Sequence, residues 1–431
     1  MSEWIKAEEY CVSVFDGTHD TPKVTETGYK LVTSKNILSN TLDLNSAYFI
    51  SEEDFVNINK RSKVKQYDIL FSMIGTVGSL YFETSDTIDY AIKNIGVFSC
   101  GDKEKTEWLY YYLQSSYARQ YIKRYLNGAV QKFLPLKGLR EFPVPQFNKE
   151  LHNRIKILLN IDQKIQINNQ INQELEAMAK TLYDYWFVQF DFPDQNGNPY
   201  KSSGGKMVYN PELKREIPEG WGVTTFSSWI SDNKTGDWGK ETSQGNYTLE
   251  VDCIRGADIN GLSGNGKIDM PTRFILEKNK NKLLTDFDIV IEISGGSPTQ
   301  STGRIVGICE NVLNRFELPL ICSNFCKAVS LNEQETFYNF VYEWKNLYDN
   351  GVLFSWEGKT SGIKNLLFDS FVTNYHIAQP PIDLMKQFFD YASSVDKKTQ
   401  LLLKQNQELT KLRDWLLPML MNGQVKVEDK T

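Results

Sequence analysis

NQEL occupies residues 172–175 and returns at 406–409, each time deep inside a long stretch without proline. Other pairs keep the same order: YDIL (67–70) is answered by FDIV (287–290), SKNI (34–37) by GADI (256–259), and KFL (132–134) by KNL (364–366). A glutamine near prolines, Gln146 and Gln379, precedes each proline-free stretch. Matches that recur in one order point to a single plan built twice, and internal repetition decides architecture before any motif does.

The two long stretches read as helices. In the first, Leu158, Ile161, Ile165, Asn168, Asn172, Leu175, Ala179 and Leu182 step by three and four, the seam of a heptad repeat. In the second the seam runs Phe388, Tyr391, Val395, Lys398, Leu402, Gln405, Leu409, Leu412 and Leu416. The polar members Asn168, Asn172, Lys398 and Gln405 weaken an apolar core and are of the kind that sets register and partner choice. About 40 helical residues reach roughly 60 Å, longer than a compact domain needs, so these segments are expected to be spacer arms.

The flanking parts, 1–147 and 216–382, carry short runs of β-branched and aromatic residues such as YDILFSMIG, NIGVFSC, FDIVIEISGG and GRIVGICE, which predict mainly strand with some helix. WLYYYLQSSYARQYIKRYL (108–126) reads as a helix, with FYNFVYEWKNLYDNGVL (337–353) as its counterpart. The stretch 192–222 is dense in Pro, Gly, Ser and Asn and reads as a turn-rich linker. The expected fold class is α+β: two mixed α/β domains alternating with two long helices that pair as an antiparallel coiled coil. The expected segments are 1–147, a helical spacer 148–190, a linker 191–215, 216–382, a second spacer 383–425 and a tail 426–431.

The chain has 431 residues, enough for several domains. Its 48 Lys plus Arg against 54 Asp plus Glu leave a net charge of −6, so contact with phosphate has to be local rather than a property of the whole surface. The opening MSEWIKAEEY has no apolar run of a signal peptide, and no window is apolar enough to span a membrane. With six scattered cysteines, this predicts a reducing, cytoplasmic setting. Only Cys322 and Cys326 are close, and the histidines are distant, so no metal is expected.

Catalytic constellations are missing. Gly261 to Lys267 has the spacing of a phosphate-binding loop, but Ile268 stands where a Ser or Thr is needed and Pro271 disfavours the following helix. Glu343-Trp344-Lys345 has the E-x-K spacing of metal-dependent nucleases without an acidic partner in a preceding strand, and reads as a solvated helix face. There is no G-x-S-x-G elbow, no H-E-x-x-H helix and no Asn-Pro-Pro-aromatic run. The chain is expected to be non-catalytic by itself. From Arg119 to Arg140 six basic residues occur with no acidic one, interleaved with Tyr121, Tyr125 and Phe133. Either this is a solvated helix face, or it meets phosphate beside the loop 127–132 with Gln131 at a base edge. His19, in the turn DGTHDTP (16–22), has no nucleophile or metal partner nearby and is assigned to recognition or to the turn itself.

DGTHDTPK with VTSKNI (16–23, 32–37), LEAMAKTLYDYWFVQFDFP (175–193), KSSGGKMVYNPELKREIPEGW (201–221) and LRDWLLPMLMNGQ (412–424) together resemble the specificity (S) subunits of Type I restriction–modification systems. The resemblance covers both halves. It implies two target-recognition domains held apart by two helical regions that pair antiparallel, each domain reading one half of an interrupted DNA sequence. It also implies that methyltransferase (M) subunits dock on the helices and methylate adenine with S-adenosylmethionine. Restriction (R) subunits, with ATP and Mg, add translocation and cleavage. This chain itself is expected to bind no cofactor.

The candidates for DNA contact are Thr18, His19, Lys35, Lys63, Lys65, Thr76, Lys123, Arg124, Gln131 and Lys132 in the first half. In the second they are Arg255, Ser297, Thr299, Gln300, Arg304, Lys359 and Lys364. Helix pairing is assigned to Leu158, Ile161, Ile165, Leu175, Leu182, Leu402, Leu409, Leu412 and Leu416. Two other readings stay open. One is a specificity subunit of a modification-only or Type II-like assembly. The other is a coiled-coil adaptor for proteins, which predicts no salt-dependent DNA affinity.

Overall fold

The computed structural model describes residues 4–38, 40–126, 132–297, 299–360 and 363–425. Contacts divide the chain into two compact units, Met1–Lys164 with Leu409–Thr431, and Ile165–Glu408.

The first unit contains β1 (Trp4–Lys6), β2 (Ser13–Asp16), β3 (Tyr29–Val32), β4 (Tyr48–Ile50), α1 (Glu52–Ser62), β5 (Ile69–Ser72), β6 (Leu80–Phe82), β7 (Tyr90–Ile92) and β8 (Ile95–Ser99). Helices α2 (Lys103–Leu113) and α3 (Ser116–Tyr125) and strand β9 (Pro143–Pro145) follow. The main sheet runs β2–β8–β5–β6, antiparallel throughout. Strand β3 lies between β4, antiparallel to it, and β7, parallel to it, while β1 pairs with β9. Every residue of β5 and β8 is buried, which explains their unbroken apolar runs. The single helix expected over 108–126 is two. Ser115 ends the first and caps the second, its hydroxyl accepting from Ala118 N–H, a polar alternative that outcompetes continuation.

Helix α4 (Lys149–Tyr183) is 35 residues long and runs on through a wider π turn to Val188. In the second unit β10 (Met207–Asn210) and β11 (Arg215–Pro218) form a hairpin. Then come β12 (Gly222–Thr225), β13 (Ile230–Thr235), β14 (Tyr247–Ile254), β15 (Thr272–Leu276), β16 (Asp288–Glu292), β17 (Ile305–Ile308), β18 (Leu320–Cys322) and β19 (Cys326–Leu331). Helix α5 (Phe337–Asp349), β20 (Glu357–Thr360), β21 (Ile363–Leu366), β22 (His376–Gln379) and the 40-residue α6 (Ile382–Met421) complete the chain. The main sheet runs β13–β19–β16–β17, again antiparallel. Strand β14 lies between antiparallel β15 and parallel β18, and β12 pairs with β22. These three sheets repeat the connectivity of the first unit's three, and the second unit adds the β10–β11 hairpin and the β20–β21 pair.

Two of the short sequence matches, YDIL with FDIV and SKNI with GADI, are shared turns. Tyr67 and Phe287 both hold positive φ, 66° and 64°, a conformation non-glycine residues rarely adopt. The aspartate that follows accepts from a backbone N–H three residues back, Lys65 to Asp68 at 2.8 Å and Thr285 to Asp288 at 2.7 Å. Asn36 and Asp258 likewise accept from the N–H of Thr33 (2.8 Å) and Arg255 (3.0 Å), closing equivalent 3-10 turns.

The stretch expected as a linker is folded. Phe190 and Trp221 are buried and join Phe187 and Phe388 in one aromatic core, while Asp191 holds the loop through the N–H and hydroxyl of Ser202. Its Gly and Asn residues make the turns of that fold, and its aromatics supply the burial. Nor is Glu343-Trp344-Lys345 a solvated face: Trp344 is fully buried and Glu343 accepts from Tyr183 O–H at 2.7 Å. Aromatic residues on α5 pull that face into the core.

Along α4 the seam residues Leu158, Ile161, Ile165, Asn168, Asn172, Leu175, Ala179 and Leu182 are all buried or half-buried. Along α6 the seam residues Phe388, Tyr391, Val395, Leu402, Leu409 and Leu416 are buried or half-buried, but Lys398, Gln405 and Leu412 are exposed, and their neighbours Thr399 (buried), Asn406 and Arg413 (half-buried) take the inward positions. The inward positions there alternate four and three residues apart (395, 399, 402, 406, 409, 413, 416), still a seven-residue repeat. The tail 426–431 lies outside the described residues.

Candidate nucleic-acid interface

In the first unit the turn 73–79 joins β5 to β6. Ile74 bridges Phe133, and Leu134 N–H donates to Met73 O at 2.9 Å, so the segment 132–134 lies along it. A methyl group added at Gly78 would sit 3.4 Å from Ile122, which places α3 against the same turn. Thr76, Lys123, Arg124 and Lys132 are thereby brought to one neighbourhood, all exposed. A cleft of about 710 Å³ borders it, lined by Gly78, Ser79, Arg119 and Lys123 and by Arg413 and Leu417 of α6.

A second group forms around Asn94, a residue nothing in the sequence pattern singled out. Its amide oxygen is 2.7 Å from His19 Nδ1, and its carbonyl accepts from Ser34, the neighbour of Lys35. His19 Nε2 lies 3.1 Å from Asp16, whose other oxygen is 3.6 Å from Arg61. Thr18 N–H donates to Ile92 O, fixing the turn. Lys63 and Lys65 are exposed on the segment from α1 to β5. Gln131 and the side chain of Lys359 fall outside the described residues.

In the second unit three of the candidate cations are paired with carboxylates. Arg255 binds Asp258 through two nitrogens, at 2.8 and 3.1 Å, and this pairing strengthens the proton affinity of its guanidinium. Arg304 binds Glu292 in the same two-pronged way, at 2.8 and 2.6 Å. Lys364 sits 3.3 Å from Glu357. The polar loop 293–304 repeats the first unit's pairing: Leu366 N–H donates to Ile293 O at 2.9 Å, and Ser294 and Gly295 pair with Asn365 and Lys364. Ser297 is half-buried in that loop, and Thr299 and Gln300 are exposed.

The candidate cations of the two halves therefore differ in their pairing. Lys35, Lys63, Lys65, Lys123, Arg124 and Lys132 form no ion pair among the described residues, whereas Arg255, Arg304 and Lys364 are neutralised by carboxylates. Glu292 and Glu357 were not legible as partners, because the hairpin registers that supply them appear only in the fold. Among the described residues no group of three or more His, Cys, Asp or Glu could hold a metal ion, and no helix is long and apolar enough to cross a membrane.

Comparison with known proteins finds similarity to DNA specificity subunits. Residues 20–177 match the family model for the Type I restriction modification DNA specificity domain. The chain is 27% identical over 330 residues to the MjaIX specificity subunit of Methanocaldococcus jannaschii, covering 75% of this chain and 70% of that one. It is 28% identical over 137 residues to the HindI specificity subunit of Haemophilus influenzae, covering 30% of each. The S subunit structure from M. genitalium covers 97% of this chain and 96% of its own at 16% identity and a TM-score of 0.49. Residues 20–177 thus match the Type I restriction modification DNA specificity domain, and the chain is similar to specificity subunits of Type I restriction–modification systems.

Proposed function

We propose that this chain is the DNA-reading component of a Type I restriction–modification complex, each unit recognising one half of an interrupted double-stranded target. The observation that carries the reading is the same strand connectivity built twice with different loops. A repeated scaffold supplies two readers, and unlike loops supply two unlike half-sites, so an asymmetric target is expected. In this reading the chain is non-catalytic and binds no cofactor. M subunits dock on α4 and α6 and use S-adenosylmethionine, and R subunits with ATP and Mg join them. The site of action is the cytoplasm.

The two long helices act as an antiparallel coiled-coil spacer. Contacts inside each unit support this. In the second unit Asn168 donates to Gln405 and Asn406, at 2.8 Å each, while Tyr183 and Phe187 lie against Phe388. In the first, Asp162 accepts from Arg413 at 2.9 Å, and a side chain at Gly423 would meet Arg154. Residue numbers rise along one helix as they fall along the other.

The test is to express the chain with its methyltransferase subunit and S-adenosylmethionine and to map N6-methyladenine on plasmid DNA by single-molecule sequencing. Methylation confined to one interrupted, asymmetric motif and lost without this chain is the expected result. Unspecific or absent methylation from a well-formed complex would overturn the reading and favour a protein adaptor.

A further inference from the structure

The equivalent hairpin turns of the two units are built differently. In the first unit, 73–79 is drawn tight on itself, with Gly78 N–H donating to Ser72 O at 3.0 Å and Ser79 N–H to Thr76 O at 3.3 Å. In the second unit, 293–304 is longer, and its backbone is tied down on both flanks. Trp344 Nε1–H donates to Gly303 O at 2.8 Å, Tyr348 O–H to Ser301 O at 3.3 Å, and Lys364 Nζ to Gln300 O at 3.2 Å. Thr302 N–H donates to the Glu357 carboxylate at 2.7 Å. Ser297 Oγ accepts from Gln300 N–H at 3.2 Å.

These bonds consume main-chain groups and leave one long polar side chain at the tip: Gln300 is exposed, and its carboxamide makes no hydrogen bond among the described residues. A loop ordered before binding loses little further entropy when it meets a ligand. A carboxamide carries a donor and an acceptor side by side, the pair that matches N7 and the N6 amino group of adenine in the major groove. Arg304, which could read guanine, is already held by Glu292.

We infer that Gln300 is the side chain through which the second unit reads one base pair of its half-site, as a two-bond contact to adenine. The inference rests on the specificity role proposed above and adds to it the residue and the base.

The test uses the full chain in complex with its methyltransferase subunit. Wild type, Gln300→Ala and Gln300→Glu are compared by competition binding at one salt concentration, against the mapped target and duplexes changed at each single position, with thermal unfolding run alongside. Gln300→Ala is expected to lose about tenfold or more of its preference at one A·T position of one half-site, leaving the other half-site unchanged. Gln300→Glu is expected to shift that position toward cytosine, whose N4 amino group a carboxylate accepts. Wild-type preference at every position in both variants would overturn the inference. So would an even loss of affinity over all sequences, or a lowered unfolding midpoint, since either gives Gln300 a role other than base reading. If the wild-type complex itself shows no sequence preference, it is the specificity role that fails, whatever Gln300 does.

Discussion

Arg304 shows how a residue's type can suggest one role and its neighbours impose another. As a basic residue in a polar loop it fits phosphate or guanine contact, yet both prongs of its guanidinium lie on Glu292, whose side chain is 4% exposed. Removing the arginine leaves that carboxylate buried without a partner. Arg304→Ala is therefore expected to cost about 3 kcal/mol, read as a lowered urea midpoint, and replacing both partners by apolar residues should recover much of it. A double variant as unstable as the single one would contradict this account. The cysteines make a second case at this scale. All six are buried and none forms a disulfide, and burial pushes the thiols of Cys253, Cys309 and Cys322 up to about 12. At pH 8 these three are almost wholly protonated. Iodoacetamide is expected to leave them unlabelled in the native protein and to label them in denaturant, and rapid native labelling would contradict the packing.

At the scale of elements, periodicity carried most of the information and register carried the rest. The heptad seam of α4 matched its inward face because Leu158, Ile161 and their successors sit on one stripe, while on α6 the alternate seam positions 398, 405 and 412 give way to 399, 406 and 413, a shift that apolar spacing alone does not reveal. Asn172 is buried on α4 with neither polar atom of its side chain partnered among the described residues. Such a group costs about 1–3 kcal/mol, so Asn172→Leu should raise the unfolding free energy by about 1 kcal/mol in urea titration. A lowered value would mean that an unseen partner satisfies the amide. The break between α2 and α3 was not read, because Ser115 is unremarkable in composition and decisive only as a cap.

At the scale of the whole molecule, the formal charge of −6 and the local cations pull in opposite directions. The exposed Lys123 and Arg124, free of ion pairs among the described residues, are expected to contact phosphate. Replacing both by Ala should weaken DNA binding alike for all sequences and reduce the slope of log affinity against log salt by about 1 for each residue. A change confined to one sequence would point to base contact instead. If α4 and α6 act as spacers, removing one turn from each should change the unread gap of the methylated motif, and an unchanged gap would refute the spacer role.

The sequence by itself determined the duplicated plan and the two long helices, because repeats, heptads and local turn chemistry are written in short-range order. Even faint tetrapeptide matches proved to be turns with a shared geometry, the positive-φ Tyr67 and Phe287 among them. Only the tertiary structure decided which cations stay available. Whether a lysine or arginine faces solvent or a carboxylate depends on strand register and on partners such as Glu292 for Arg304 or Asn94 for His19, the latter 75 residues away. Charge composition records how many such groups exist, and the fold determines which of them are left for a ligand.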